Sequence, residues 1–275
     1  MQSRQPGRIE GKTAIVTGGA RGIGKGIVKK LLQEGGRVVI ADILVDEAKK
    51  TADEYKSLGQ VEVVEYDALD VKQAEAIATF AVKTFGKLDI LVNNAGVQKR
   101  GPSIDFTEEA FDWVMDIDIK APFFCSQAAA REMRKTGGGK IVSISSGNSR
   151  MMNPGRAPYC IAKAGINAMT QVLASEWAMH NINVNAVAPG FIETAIVQKG
   201  FKMGILSREQ ILSITPIPRL ATEAEVADVV FYFVTDEARY VTGQVLFCDG
   251  GWSTGILPGA LDYVKNPEKF DRDNQ

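Results

Sequence analysis

Short apolar runs alternate with stretches of helical periodicity along almost the whole chain, and that alternation leaves few folds open. Residues 13–17 are an apolar run followed by glycines. Ile23, Ile27, Val28, Leu31 and Leu32 then recur at helical spacing over 22–34, and Gly35-Gly36 ends that helix. Residues 37–42, with Val38-Val39-Ile40, read as the second strand. The same reading gives helices over 45–58, 71–85, 107–135, 158–179 and 223–234. Further strands fall at 61–66, 88–92, 141–145, 182–188 and 244–248, and 194–213 is irregular or helical. Strands that alternate with helices imply parallel βαβ units with right-handed crossovers. The predicted fold is α/β, a doubly wound parallel seven-stranded sheet in a three-layer α/β/α sandwich. One domain is expected over 1–275, with its core at 9–251 and a C-terminal tail at 252–275.

Composition removes several classes of function. At 275 residues and 45% hydrophobic content the chain can build a core without metal or disulfide help. A formal net charge of -1 supplies no broad basic field, so neither nucleic acid nor an anionic membrane is an expected partner. Cys125, Cys160 and Cys248 show no metal-ligand spacing and no disulfide framework, and read as buried apolar residues in a reducing compartment. Residues 1–8 are polar, unlike a signal peptide, and no apolar run approaches the ~20 residues of a membrane span. A cytoplasmic location is expected. The only histidine, His180, stands at a helix end where it caps or faces solvent. Zinc chemistry and a Ser-His-Asp hydrolase therefore have no basis, and no metal is expected. Proton transfer must fall to Tyr, Lys, Asp or Glu.

Gly18, Gly22 and Gly24 join the first strand to the first helix as G-x-x-x-G-x-G, with Arg21 and Ile23 between them. Glycines let backbone approach a pyrophosphate closely, and a helix N-terminus offers free N–H groups and partial positive charge. Asp42 ends the second strand about 20 residues on, where a carboxylate can bond adenosine ribose hydroxyls and repel a 2′-phosphate. NAD is therefore expected over NADP. Arg21 argues the other way, since it could pair with a phosphate.

Tyr159 and Lys163 stand at i and i+4 on a predicted helix and share a face. A nearby ammonium and a positively charged nicotinamide favour the phenolate. Such a tyrosine can protonate a carbonyl oxygen or deprotonate an alcohol. Ser146 ends the fifth strand, and C-terminal strand ends of a parallel sheet face the ligand crevice.

Together these features resemble the short-chain dehydrogenase/reductase family, a Rossmann-type fold, from Gly11 to Gly251. The resemblance rests on the glycine loop, Asn93-Asn94-Ala95-Gly96, Ser146, Tyr159-x-x-x-Lys163, Pro189-Gly190 with Thr194, and Asp249-Gly250-Gly251. It implies a nicotinamide-dependent oxidoreductase acting on CH–OH groups. In that reading Asn93, Asn94, Ala95 and Gly96 line the cofactor and support the sheet. Asp70-Val71 contacts the adenine, Lys163 holds the nicotinamide ribose, and 189–194, with Pro189, Gly190, Ile192 and Thr194, covers the nicotinamide. The family usually has a catalytic asparagine in the helix before the fifth strand, and here Asp118 holds that position. Its carboxylate either acts on Lys163 and Tyr159 or points away to bond backbone amides at a helix kink.

The substrate expectation is a secondary alcohol or ketone, with sugar acids and polyols suggested by resemblance around 98–102 and 176–178. A 3-oxoacyl-thioester or steroid-type ketone is an alternative, and a catalytically silent dinucleotide-binding regulator is an alternative of another class. Lys99 and Arg100 either pair with an anionic substrate group or are solvated loop charges. Apolar residues on several faces of 107–135 and 158–179, among them Phe123, Phe124, Ile166, Met169, Val172 and Leu173, point to a homo-oligomer, a tetramer or dimer. Residues 252–264 are apolar enough to dock, and 265–275 should fray.

Overall fold

A computed structural model describes residues 7–255. The expected docking and fraying of the tail beyond Gly255 lie outside the described residues. The strands are β1 (Thr13–Thr17), β2 (Arg37–Asp42), β3 (Val61–Glu65), β4 (Ile90–Asn93), β5 (Gly139–Ile144), β6 (Ile182–Pro189) and β7 (Val245–Cys248). Between them run α1 (Gly22–Gln33), α2 (Val45–Tyr55), α3 (Gln73–Phe85), α4 (Glu108–Met115), α5 (Ala121–Met133) and α6 (Ala157–Trp177). After β6 come α7 (Ala195–Lys202), α8 (Arg208–Ser213) and α9 (Glu223–Val234).

All seven strands form one parallel sheet in the order β3-β2-β1-β4-β5-β6-β7. β1, β4 and β6 are buried at every position. Helices cover both faces, which is why these strands read as uninterrupted apolar runs instead of alternating ones. One core cluster joins the sheet to α1, α2 and α9 through Val28, Leu31, Ala48, Val230 and Phe231. The opposite cluster joins it to α3, α5 and α6 through Ile77, Ala129, Met133, Ile166 and Leu173. The chain leaves β1 in one direction to β2 and β3, then returns to place β4 on its other side. That reversal opens a crevice beyond the C-terminal ends of β1 and β4.

Some local expectations are corrected. The single helix expected over 107–135 is divided by a π-helical turn, Asp116–Lys120, between α4 and α5. The region 194–213 resolves into α7 and α8. Trp252, assigned to the tail, is buried, and its ring packs at a tilt with its centre 4.8 Å from that of Phe191. Cys125 and Cys160 are buried, whereas Cys248 is only half-buried. Burial pushes the Cys125 thiol up to about 11, in keeping with an inert packing residue.

Candidate active site

A cavity of about 660 Å³ opens at the crevice between β1 and β4. Its floor is the glycine loop. Gly18 (φ 64°) and Gly22 (φ 59°) occupy left-handed backbone. A side chain at Gly24 would run into the Gly18 carbonyl and the Asn94 amide, so only glycine lets α1 begin this close to β4. No side chain caps the N-terminus of α1, and its first turn holds no acidic residue. Its free amides and partial positive charge can hold a pyrophosphate.

β4 is tied to this floor by Asn94. Its Nδ2 donates to the carbonyls of Thr17 and Gly18 at 3.0 and 2.8 Å. Thr17 Oγ1 in turn accepts from the Asn94 and Ala95 amides. Asn93 lies outside the wall, buried in the sheet, where its Nδ2 donates to Ser126 and Ser143. Asp42 stands in the wall at the far end. Its Oδ2 accepts from Ala20 N and its Oδ1 from Leu44 N, each at 2.9 Å. A carboxylate offers about four acceptor sites, so lone pairs remain for ribose hydroxyls.

At the other end Ser146, Tyr159 and Lys163 meet. Ser146 lies in extended backbone two residues beyond β5, and its Oγ accepts from Asn148 N at 3.1 Å. The Lys163 ammonium lies 5.6 Å from the Tyr159 ring centre and donates to Ile144 O at 3.1 Å. Ser145 fixes α6 against β5 by donating to Lys163 O and Asn167 Oδ1. Gly147 leaves room for the Trp252 ring beneath this corner.

Asp118 is not in the wall but directly behind it. The π-helical turn carries its side chain inward, where Oδ1 accepts from Val97 N at 2.7 Å and Oδ2 lies 3.2 Å from Lys163 Nζ. Oδ2 makes no aligned hydrogen bond, so the contact is an ion pair. Burial alone would lower the pKa of Lys163, but the charges of Asp118 and Tyr159 outweigh it and hold the ammonium above its ordinary value. Burial pushes the Asp118 carboxyl up, and Lys163 and the Val97 amide pull it back. The expected alternative that it points away is corrected: it bonds the Val97 amide at a helix irregularity, yet it faces the lysine.

Of the other expected site residues, Gly18, Arg21, Gly22, Ile23, Gly24, Asp42, Asn94, Ala95, Gly96, Pro189, Gly190, Ile192 and Thr194 all border the cavity. Asp70 and Val71 do not. Asp67 and Ala68 stand in the wall instead, and the Asp70 carboxylate accepts from Lys72 N beside the start of α3. Lys99 and Arg100 are exposed and outside the wall, while Gln98 is in it. Glu223 at the start of α9 was not anticipated. It reaches the wall because Gly26 of α1 leaves no side chain between the two helices.

The family model described as enoyl-(acyl carrier protein) reductase matches residues 18–253. The chain is 38% identical over 245 residues to a 3-oxoacyl-[acyl-carrier-protein] reductase of Thermotoga maritima, covering 89% of this chain and 98% of the relative. It is 36% identical over 245 residues to an NAD-dependent glycerol dehydrogenase of Listeria innocua, covering 89% and 95%. A solved structure of a putative short-chain alcohol dehydrogenase from Sinorhizobium meliloti 1021 superposes with a TM-score of 0.86 at 35% identity, covering 90% of this chain and 98% of that one.

Proposed function

The chain belongs to the short-chain dehydrogenase/reductase family, oxidoreductases of CH–OH groups that use a nicotinamide dinucleotide, and from that premise we propose that it interconverts a secondary alcohol and a ketone with NAD. The observation that carries this reading is the meeting of Ser146, Tyr159 and Lys163 at one end of a cavity whose other end is the glycine loop and Asp42. The bound nicotinamide supplies or accepts the hydride. In oxidation the Tyr159 phenolate takes the proton of the substrate hydroxyl, and in reduction the phenol returns it to the carbonyl oxygen. Ser146 Oγ donates a hydrogen bond to that same oxygen. The Lys163 ammonium favours the phenolate and offers donors to the nicotinamide ribose. Asp42 would hold the adenosine ribose hydroxyls, and Asp67 and Ala68 would border the adenine.

The resemblance to a 3-oxoacyl reductase keeps a 3-oxoacyl thioester as the second substrate class, beside polyols and hydroxy acids. A panel of these substrates with NAD and NADP separates them. Tyr159→Phe is the test of mechanism: turnover should fall by about 10²–10⁴-fold, the usual worth of general acid–base catalysis, with NADH affinity nearly unchanged. Near-normal turnover would remove Tyr159 from the reaction.

Described residues 7–255 serve as one catalytic unit in this reading, in a reducing, cytoplasmic compartment that suits three free thiols. Phe123 and Val172 are exposed across α5 and α6 and border a shallow depression with Arg131, Glu176 and Trp177. We assign this face to a symmetric homo-oligomer. Light scattering at micromolar concentration tests it, and a monomer would count against the assignment.

A further inference from the structure

Two separate loops carry arginines to the Tyr159 end of the cavity. Arg100 lies in the loop after β4, and Arg156 occupies the position just before α6, with no side-chain capping bond. The Gly101 amide donates to the Gly155 carbonyl at 3.1 Å, and these glycines adjoin Arg100 and Arg156 in sequence. That bond holds the two arginine-bearing positions side by side. Arg156 is only three residues before Tyr159, and the two side chains are close enough to interact electrostatically. Arg100 Nε donates to Gln98 Oε1 at 3.2 Å, and Gln98 and Tyr159 are both in the cavity wall. The pair thus stands just beyond the wall, on the side of the reacting tyrosine.

Neither guanidinium has a carboxylate partner among the described residues. Arg8, Arg131, Arg208 and Arg219 each form an ion pair, but Arg100 and Arg156 form none. The Arg156 side chain is partly buried and makes no hydrogen bond among the described residues. Burial and the like charge of Arg100 both disfavour its charged form. Lys99, exposed in the same loop, adds to the excess of positive charge. Two cations brought together without a counter-ion, one of them partly desolvated, repel each other, and an oxyanion between them relieves that cost. A planar guanidinium also matches a carboxylate with two parallel hydrogen bonds.

We propose that Arg156 and Arg100 form an anion subsite that takes the carboxylate of the substrate while Tyr159 takes its reacting oxygen. Three residues of chain span at most about 10 Å, so acid group and carbinol carbon fall within one small molecule. The substrate class is then a short hydroxy acid or its oxo acid. The proposal rests on the reading of Tyr159 as the group that meets the substrate oxygen.

Calorimetric titration of the NADH-loaded enzyme with malonate and with uncharged malonamide tests the subsite without turnover. Malonate should bind saturably and at least about tenfold more tightly than malonamide, as an ionised acceptor does. Arg156→Gln should weaken malonate by about tenfold or more and Arg100→Gln by less, with NADH affinity retained in both as the check on folding. Malonate no tighter than malonamide, or bound by Arg156→Gln as by wild type, would overturn the subsite. Tyr159→Phe separates the two readings. It should keep malonate binding and lose turnover. If it stays active, the reaction assignment fails. If malonate binding fails while Tyr159→Phe is inactive, only the anion subsite fails.

Discussion

Asp118 Oδ2 lies 3.2 Å from Lys163 Nζ, with the carboxylate side chain wholly buried and the lysine side chain 6% exposed. A buried ammonium this close to a fixed anion is stabilised as a cation, but its field at the Tyr159 phenol is partly cancelled. We propose that the carboxylate acts on the tyrosine through the lysine, as a positioning and charge-balancing group.

Asp118→Asn separates these effects, because an amide oxygen can still accept from Val97 N while the negative charge is lost. Without the anion, the ammonium favours the phenolate more strongly, so the rising limb of alcohol oxidation moves to lower pH. Lys163, held above its ordinary value largely by Asp118, then gives up its proton at lower pH, so activity also falls earlier on the alkaline side. Both limbs move the same way, by on the order of one pH unit, the low end of what a neighbouring charge does. The measurement is kcat/KM for oxidation against pH in both proteins. An unchanged or higher midpoint of the rising limb would show that the carboxylate does not act on Tyr159.

Most of the fold was legible because strands buried on both faces leave long apolar runs, and the helix-opening glycines leave a fixed spacing. The side-chain direction of Asp118 was not. Hydrophobic periodicity reads 107–135 as one helix, and an α-helical period cannot reveal the π-helical turn at Asp116–Lys120 that carries Asp118 inward. The place of Asp67 in the wall was not legible either, for a related reason. Two aspartates follow β3 in close succession, and only the path of the chain shows that Asp67 meets the cavity while Asp70 bonds an amide beside the start of α3. Arg156 was silent in sequence, since the lack of an acidic partner is a property of space.

In the proposed reading, cofactor choice rests on Asp42 and its neighbour. Ile43 is 58% exposed and borders the cavity, so an arginine there would have room to reach a 2′-phosphate. The double variant Asp42→Ala, Ile43→Arg removes the repelling carboxylate and adds a partner. Its ratio of kcat/KM for NADP to that for NAD should rise at least about tenfold, the effect of about 1.4 kcal/mol. A wild type that already prefers NADP would instead make Arg21 the deciding residue.

Gly24→Ala probes the close approach of α1 to β4. The added methyl meets the Gly18 carbonyl and the Asn94 amide, both fixed by the hydrogen bonds that close the cavity floor. The carbonyl is backbone and the Asn94 Nδ2 is held by its two hydrogen bonds, so the loop itself must shift. Overpacking of this kind typically costs about 1–3 kcal/mol. NADH affinity should fall by about tenfold or more while far-ultraviolet dichroism stays native. Wild-type affinity would mean that the loop is not the pyrophosphate cradle.

The last expectation concerns stability away from the chemistry. α9 opens with a capping box: Thr222 Oγ1 accepts from Glu225 N, and Glu225 Oε2 accepts from Thr222 N at 2.8 Å. Arg219 grips the same carboxylate with two bonds, at 2.6 and 2.9 Å. Arg219 and the Thr222 amide together pull the Glu225 carboxyl down to about 2. A depressed carboxyl contributes stability above its unfolded value of 4.5, and that contribution is lost as pH falls from there towards about 2. The side chain is 40% exposed, so solvent screening keeps the gain near the ~1 kcal/mol of a helix cap and well below what the shift alone would suggest. α9 packs Val226, Val230 and Phe231 into the core shared with α1, so loosening its first turn is felt in global unfolding. Glu225→Gln should therefore lower Tm by a few degrees at pH 7. The gap should narrow as pH falls from 4.5 towards about 2, because the unfolded wild type takes up a proton at this carboxyl that the folded state does not, a linkage the variant lacks. Thermal unfolding of both proteins across that range checks the sign. A gap of constant size would mean that Glu225 holds α9 through shape and neutral hydrogen bonds, not through its charge.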